Sequence, residues 1–225
     1  MILVTGGLGY IGSHTVVELL ENDFEVLIID NLSNSSMSVL DGINSIINKN
    51  IFFEQIDLCN AEDLSLIFQK YTNIQAVIHF AAHKSVEESV SKPIDYYKNN
   101  ISSILNVIDE INKKLKFCPF IFSSSCTVYG KANRFPITED ESIKPAESPY
   151  ANTKKIAEEI LYDASLTNKN LNVISLRYFN PIGAHPSLKI GELPLNKPQN
   201  LVPIVTKTGI GSNDKKINVL KKKIC

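Results

Sequence analysis

The feature that most constrains this chain lies near its start. Ile2-Leu3-Val4-Thr5 is a short apolar run that enters a turn with glycines at 6, 9 and 12, Gly6-Gly7-Leu8-Gly9-Tyr10-Ile11-Gly12. Apolar residues then recur with helical spacing at Ile11, Val16, Val17, Leu19 and Leu20. Glu25-Val26-Leu27-Ile28-Ile29-Asp30 follows, an apolar run of the kind buried on both faces of a parallel sheet, closed by an acid. Strand, glycine-rich turn, helix, strand and acid, in that order, specify a βαβ unit whose first turn receives a dinucleotide pyrophosphate. Gly6 permits the tight turn, Gly9 lets the backbone approach the phosphates, and Gly12 lets helix and strand pack closely. The start of the helix, with Tyr10 and Ile11, offers the phosphates amide donors and a positive dipole end. Asp30 stands 18 residues beyond Gly12, where it can accept from the adenosine ribose hydroxyls. Its charge would repel a 2′-phosphate, so the expected cofactor is NAD. Asn31, Asn34 and Ser35 are expected as further polar contacts to that ribose.

The alternation of strand and helix continues. Ile51 to Ile56 reads as a third strand ending at Asp57-Leu58, expected beside the adenine, and a helix over 61–70 follows. Ala76-Val77-Ile78-His79 reads as a fourth strand running into Phe80-Ala81-Ala82-His83-Lys84. Small residues there let backbone lie along the cofactor, and Lys84 can reach its phosphate or ribose. Pro93 to Lys116 supports a long helix carrying Asn99, expected at the cofactor, and Asn100, expected at the nicotinamide region or the sugar. Phe120-Ile121-Phe122 is a fifth strand that delivers Ser123-Ser124-Ser125 to its C-terminal end, the edge where open α/β sheets bind ligands. A polar loop spans 126–147. Asn172 to Arg177 is a sixth strand, left by Tyr178-Phe179-Asn180-Pro181 at the same edge. The predicted architecture is α/β: a Rossmann-like doubly wound parallel sheet over 1–177, with the start of a smaller substrate-binding domain over 178–225.

A candidate for chemistry lies between the last two strands. Ser148 is a good helix N-cap and Pro149 fits the first helical position, so Tyr150 falls in the first turn. Lys154 lies four residues on, one turn along the same face; of the eight tyrosines only Tyr150 has a lysine at that spacing. A cation there, with the helix dipole, is expected to favour the phenolate and draw the tyrosine's pKa from about 10 towards neutrality. A phenolate beside a serine hydroxyl is a usable general base for an alcohol.

Composition narrows the partners. A net charge of -1 offers no basic field for nucleic acid or anionic lipid. No apolar run reaches the ~18 residues of a membrane span, and the N-terminus has no signal-peptide pattern, so a cytoplasmic location is expected. Cys59, Cys118, Cys126 and Cys225 have neither CxxC nor His-interleaved spacing, so no metal site or disulfide framework is implied. His79 ends a buried strand and reads as a satisfied core histidine.

Taken together, Thr5 to His14, Asp30-Asn31-Leu32, His79-Phe80-Ala81, Ser123 to Gly130, Ser148-Pro149-Tyr150, Lys154, Arg177 to Pro181 and Gly183-Ala184-His185-Pro186 make the chain similar to the extended short-chain dehydrogenase/reductase family, in its UDP-hexose 4-epimerase branch. The resemblance covers roughly residues 1–218. It implies reversible oxidation at the sugar C4 through a 4-keto intermediate, interconverting UDP-glucose and UDP-galactose with bound NAD. Tyr150 would take the proton of the 4-hydroxyl. Ser125 would bond the 4-oxygen and help relay the proton, while Lys154 would hold the nicotinamide ribose and tune Tyr150. Tyr178 and Phe179 would line the nicotinamide pocket. Asn180, Asn200 and Leu201 would contact the UDP part. A homodimer through the helices around 93–116 and 149–168 is also implied.

A nucleotide-sugar 4,6-dehydratase is the nearest rival, but the Asp-Glu pair that the family's dehydratases carry after the active-site Ser/Thr is replaced here by Cys126-Thr127. Lys216 to Val219 matches the family's next strand, yet the chain then turns to Leu220-Lys221-Lys222-Lys223-Ile224-Cys225 where the family continues into its UDP-binding loop. The chain is therefore expected to be truncated, with weakened substrate binding and exposed apolar surface. A non-catalytic NAD-binding remnant is the reading from a different class.

Overall fold

Short apolar runs without polar alternation must be covered on both faces, and the chain meets that demand with a central parallel sheet. The computed structural model describes residues 1–193 and 200–211. In chain order the elements are β1 (Ile2–Thr5), α1 (Tyr10–Glu21), β2 (Val26–Ile29), α2 (Met37–Ile46), β3 (Phe52–Glu54), α3 (Ala61–Lys70), β4 (Ala76–His79), α4 (Val86–Ser91), α5 (Pro93–Lys114), β5 (Cys118–Ser125), α6 (Pro149–Thr167), β6 (Leu171–Tyr178) and α7 (Leu201–Gly209). A 3-10 turn at Cys126–Tyr129 opens the loop after β5. The strands lie in the order β3-β2-β1-β4-β5-β6, every pair parallel. The order reverses between β1 and β4, and the crevice at that reversal receives ligands in sheets of this kind.

Side-chain alternation divides the core in two. Leu3, Leu27, Ile29, Val77, Phe120 and Phe122 pack with Leu64, Ile104, Val107 and Leu161 of α3, α5 and α6. Val4, Val26, Ile28 and Ile78 point to the other face, against Val16, Val17 and Leu20 of α1 and Val39 and Ile43 of α2. The residues on each face are two apart along each strand, as the pleat requires.

The predicted strands are all present, with different extents. β3 is shorter than 51–56 because its register with β2 covers only three residues, whereas β5 and β6 run longer because they pair with each other over eight. The long helix stops at Lys114. Helices α2, α4 and α7 have no counterpart in the sequence reading. The strand expected at 216–219 and the lysine run lie outside the described residues. Among the described residues, no helix is long and apolar enough to cross a membrane, no three or more of His, Cys, Asp and Glu cluster as metal ligands, and Cys59, Cys118 and Cys126 form no disulfide.

Candidate active site at the C-terminal edge of the sheet

The glycine turn sits at the end of β1, in the crevice. Gly6 has φ +65, and a Cβ there would lie 2.7 Å from the Ala81 nitrogen, so the loops after β1 and β4 touch because the residue is glycine. Gly12 was expected to serve helix–strand packing. It meets the turn itself: a Cβ would stand 2.3 Å from the Gly6 carbonyl oxygen. Gly9 caps α1 with no side-chain hydrogen bond, and no acid occupies the first turn. The first-turn amides therefore have neither a capping side chain nor a competing carboxylate, which suits a phosphate.

Asp30 leaves β2 beside this turn, only 9% exposed. Its carboxylate accepts from the Leu8 amide (3.1 Å), the Leu32 amide (3.0 Å) and the Ser35 hydroxyl (2.8 Å). The chain thus fixes the carboxylate's orientation; Ser35 holds Asp30, while Asn31 and Asn34 are exposed. Asp57 accepts from the Cys59 amide (2.9 Å), and Leu58 is buried against the core. Bare glycine backbone, first-turn amides and an oriented carboxylate form a donor and acceptor set that fits a dinucleotide.

Across the crevice, Phe80 and Ala81 follow β4 at the foot of the turn. Lys84 pairs with Glu192 at 3.8 Å. Asn99 donates to Asn100 (3.0 Å). Asn100 itself is held by the protein. It is buried, accepts from the His83 amide (2.8 Å), and donates to the His83 carbonyl (3.0 Å) and the Thr153 hydroxyl (3.0 Å), so it pins the loop after β4 to α6. His79 is the satisfied core histidine expected: its Nδ1 bonds the Thr5 hydroxyl (2.9 Å) and its ring stacks near Phe120 and Phe122. Burial, with a smaller contribution from the Lys154 charge, pushes its pKa down to about 3.

α6 brings the catalytic candidates together. Ser148 accepts from the Ala151 amide (3.1 Å), the N-cap expected from Ser-Pro. Tyr150 in the first turn lies near Ser125 at the end of β5, whose hydroxyl acts to lower the phenol's pKa. Thr127 donates both its amide (3.3 Å) and its hydroxyl (3.0 Å) to Ser125. Lys154 is buried, donates to the Ser123 carbonyl (2.7 Å), and lies 4.9 Å from the Phe122 ring centroid and 6.0 Å from that of Tyr150.

One expectation fails here. Lysine spacing was to draw the Tyr150 pKa towards neutrality, but burial raises it above its ordinary value, ahead of the Ser125 hydroxyl that opposes the rise. Desolvation disfavours the charged form of either group, and it also lowers Lys154 to about 8, with Glu158 acting the other way. In the chain by itself Tyr150 holds its proton.

Sequence reasoning missed Glu158, although the stripe Tyr150, Lys154, Glu158 runs along one face of α6 and was there to be read. Glu158 accepts a bidentate bond from Arg177 (3.0 and 2.7 Å) and another from Ser124. Arg177 also donates to the Tyr129 hydroxyl (3.0 Å) and lies over its ring. The network ties the ends of β5 and β6, the 3-10 turn and α6 together, so Arg177 serves structure. Arg134 is an exposed loop residue, 3.8 Å from Glu141. At the end of β6, Tyr178 is half-buried, and beyond it Phe179 and Asn180 are exposed at the same edge. Asn200 caps α7 and donates to Glu192, and Leu201 is exposed.

Comparison with known proteins agrees with this geometry. A family profile described as GDP-mannose 4,6 dehydratase matches residues 3–216. A UDP-glucose 4-epimerase of Dictyostelium discoideum is 48% identical over 210 residues, 93% of this chain and 60% of that protein. One from Bacillus subtilis is 46% identical over 210 residues, 93% and 61% respectively. The crystal structure of UDP-glucose 4-epimerase from Bifidobacterium longum in complex with NAD+ and UDP superposes with a TM-score of 0.91 at 40% identity, covering 95% of this chain and 63% of that one. The chain thus spans about three fifths of the length of the curated relatives it matches. It belongs to the family of that profile, within the extended short-chain dehydrogenase/reductases, and its similarity there is to UDP-glucose 4-epimerases.

Proposed function

We propose that this chain holds NAD at the β1–β4 crevice and serves the interconversion of UDP-glucose and UDP-galactose at sugar C4. The observation that carries this reading is Tyr150, near Ser125 and backed by buried Lys154, at the edge where the glycine turn and Asp30 fit a dinucleotide. Gly6, Gly9, Gly12 and the amides at Tyr10 and Ile11 would hold the pyrophosphate, Asp30 the adenosine ribose, Asp57 and Leu58 the adenine, and Phe80, Ala81, Lys84, Asn99 and Phe179 the rest. When bound, oxidised NAD supplies a hydride acceptor and a positive charge. Tyr150 would accept and return the proton of the 4-hydroxyl, and Ser125 would orient that oxygen. Lys154 would hold a positive charge behind the phenol; this matters because burial alone keeps Tyr150 protonated. Asn180, Asn200 and Leu201 would meet the UDP part. Residues 1–177 would form the cofactor domain and 178 onward the start of the substrate domain, with α5 and α6 the candidate dimer surface.

Dehydration would require a carboxylic acid beside Ser125. Cys126 and Thr127 occupy the 3-10 turn there, and the carboxylate of Glu158 is taken by Arg177 and Ser124. This supports epimerisation over elimination. The exposure of Asn180, Asn200 and Leu201, the residues assigned to the UDP part, favours a second reading, an NAD-binding protein without turnover. Purified protein incubated with UDP-galactose distinguishes the two: formation of UDP-glucose supports the epimerase, and retained NAD without product supports the second. Tyr150→Phe is expected to reduce any turnover about 10²- to 10⁴-fold and leave NAD in place. Equal loss of both would remove Tyr150 from its role.

A further inference from the structure

The segment leaving β6 folds back across the nucleotide crevice and touches both of its banks. On the α1 side, the Tyr10 hydroxyl donates to the Gly183 carbonyl (2.8 Å), and the His14 and His185 rings lie 6.3 Å apart. On the β4 side, Glu192 stands 3.8 Å from Lys84. Between these two contacts the segment reaches α2. Ile190 is 3% exposed in the core cluster that holds Val39 and Ile43. Gly42 on α2 leaves no room for a side chain, since a Cβ would lie 2.6 Å from the Lys189 carbonyl oxygen. An antiparallel bridge between Ala184 and Gly191, with the His185 amide bonded to the Ile190 carbonyl (3.1 Å), closes residues 184–191 into one unit. Gly183 precedes it with φ +134 and nothing within 4 Å of a would-be Cβ, the freest point at which the unit could turn.

We propose that residues 183–192 form a strap over the dinucleotide site that sets how fast the cofactor enters and leaves. The proposal rests on the NAD reading above. The strap's two crevice contacts, Tyr10 with Gly183 and Lys84 with Glu192, involve residues assigned to the cofactor, so a ligand beneath it leaves when they part. Its anchor, Ile190 against α2, lies away from those contacts. Loosening the anchor therefore speeds opening without altering the groups that hold the ligand. Release and entry should both quicken, with affinity changing less than either rate.

The test is the release rate of a fluorescent etheno-NAD, chased with unlabelled NAD, from the full chain and from its Ile190→Ala and Gly42→Ala variants. Circular dichroism confirms that each is folded. Release on the order of tenfold faster in both folded variants is expected. Release rates equal to that of the unsubstituted chain would overturn the strap while leaving the cofactor reading intact. Failure of the unsubstituted chain to bind etheno-NAD at all would overturn the cofactor reading and the strap with it. Should both variants fail to fold, trypsin cleavage after Lys189 in the unsubstituted chain decides. NAD is expected to protect that bond several-fold, and cleavage indifferent to NAD would sink the proposal.

Discussion

β2 and β6 belong to one parallel sheet but are built for different neighbours. All four residues of β2 are buried, Leu27 and Ile29 towards α3 and α5, Val26 and Ile28 towards α1 and α2. β6 alternates. Its register sets Ile174 beside Ile121 and Leu176 beside Ser123, yet Ile174 is 56% exposed and Leu176 38%. The α1–α2 layer covers that face of β1, β2 and β4 and does not extend over β6. The cofactor crevice lies in the covered part, where Leu8 of the glycine turn and Asp30 are buried and Phe80 after β4 packs against the core. Residues expected to meet the sugar nucleotide, Asn180, Asn200 and Leu201, are exposed in the part that is open. Cofactor binding and substrate closure therefore rest on separate pieces of the fold, and each can be perturbed alone.

The largest contrast should come from two glycines. Gly12→Ala forces a methyl group to within 2.3 Å of the Gly6 carbonyl, against backbone that cannot yield without opening the turn. A loss of roughly 3 kcal/mol in stability is expected, together with loss of NAD. Gly209, at the end of α7, has nothing within 4 Å of a Cβ, and Gly209→Ala should change stability by no more than about 0.5 kcal/mol. Urea midpoints of the two variants give the comparison directly; equal shifts would break it.

Acid should find the covered part through His79. Its pKa in the folded chain is about 3, against 6.5 for an unperturbed histidine. Below pH 6.5 the unfolded chain takes a proton that the folded chain refuses, so stability is complete above pH 6.5 and falls as the pH drops towards 3. At about 1.4 kcal/mol per pH unit, roughly 2 kcal/mol is lost between pH 6.5 and 5. Urea midpoints at several pH values test this, and His79→Asn, though less stable throughout, should show a shallower slope over that range.

Arg177 stands where the two parts meet. Arg177→Lys keeps the charge but loses the bidentate grip on Glu158 and the contact over Tyr129. A loss of about 1–2 kcal/mol is expected, with Tyr150 less firmly placed because Glu158 lies on its helix. Turnover falling further than NAD retention would locate the effect at α6. An unchanged urea midpoint would show that the network contributes little.

The covered part was legible in the sequence because local and global signals coincide there: uninterrupted apolar strands, glycines at fixed offsets and an acid closing β2. α2 was not legible. Its Ser, Asn and Gly residues are weak helix formers, and the helix is held by Val39 and Ile43 packing on the core and by Ile190 arriving from the far end of the chain. Tyr150 was found by spacing, since helix geometry sets which side chains share a face. Its acidity was misjudged, because burial is a property of the assembled crevice and outweighs a lysine whose ammonium is turned to the Ser123 carbonyl. Within residues 183–192 only Gly183-Ala184-His185-Pro186 stood out, as a family motif, and no local pattern showed that Ile190 would reach α2.

The smallest expected effect tests whether the face of β6 is free in solution. Ile174→Thr combined with Leu176→Thr places a β-branched residue at both strand positions and removes apolar surface from the open face. If water covers that face, the side chains contribute little to folding, and stability should move by no more than about 0.5 kcal/mol. Binding of an apolar dye should fall, and sedimentation velocity should show less self-association. A loss of more than about 2 kcal/mol would mean instead that both side chains are packed in solution, since truncating buried residues costs that much. A midpoint that also depends on protein concentration would then identify the cover as a second copy. A concentration-independent loss would place it within the same chain, and the difference between the two ends of the sheet would disappear.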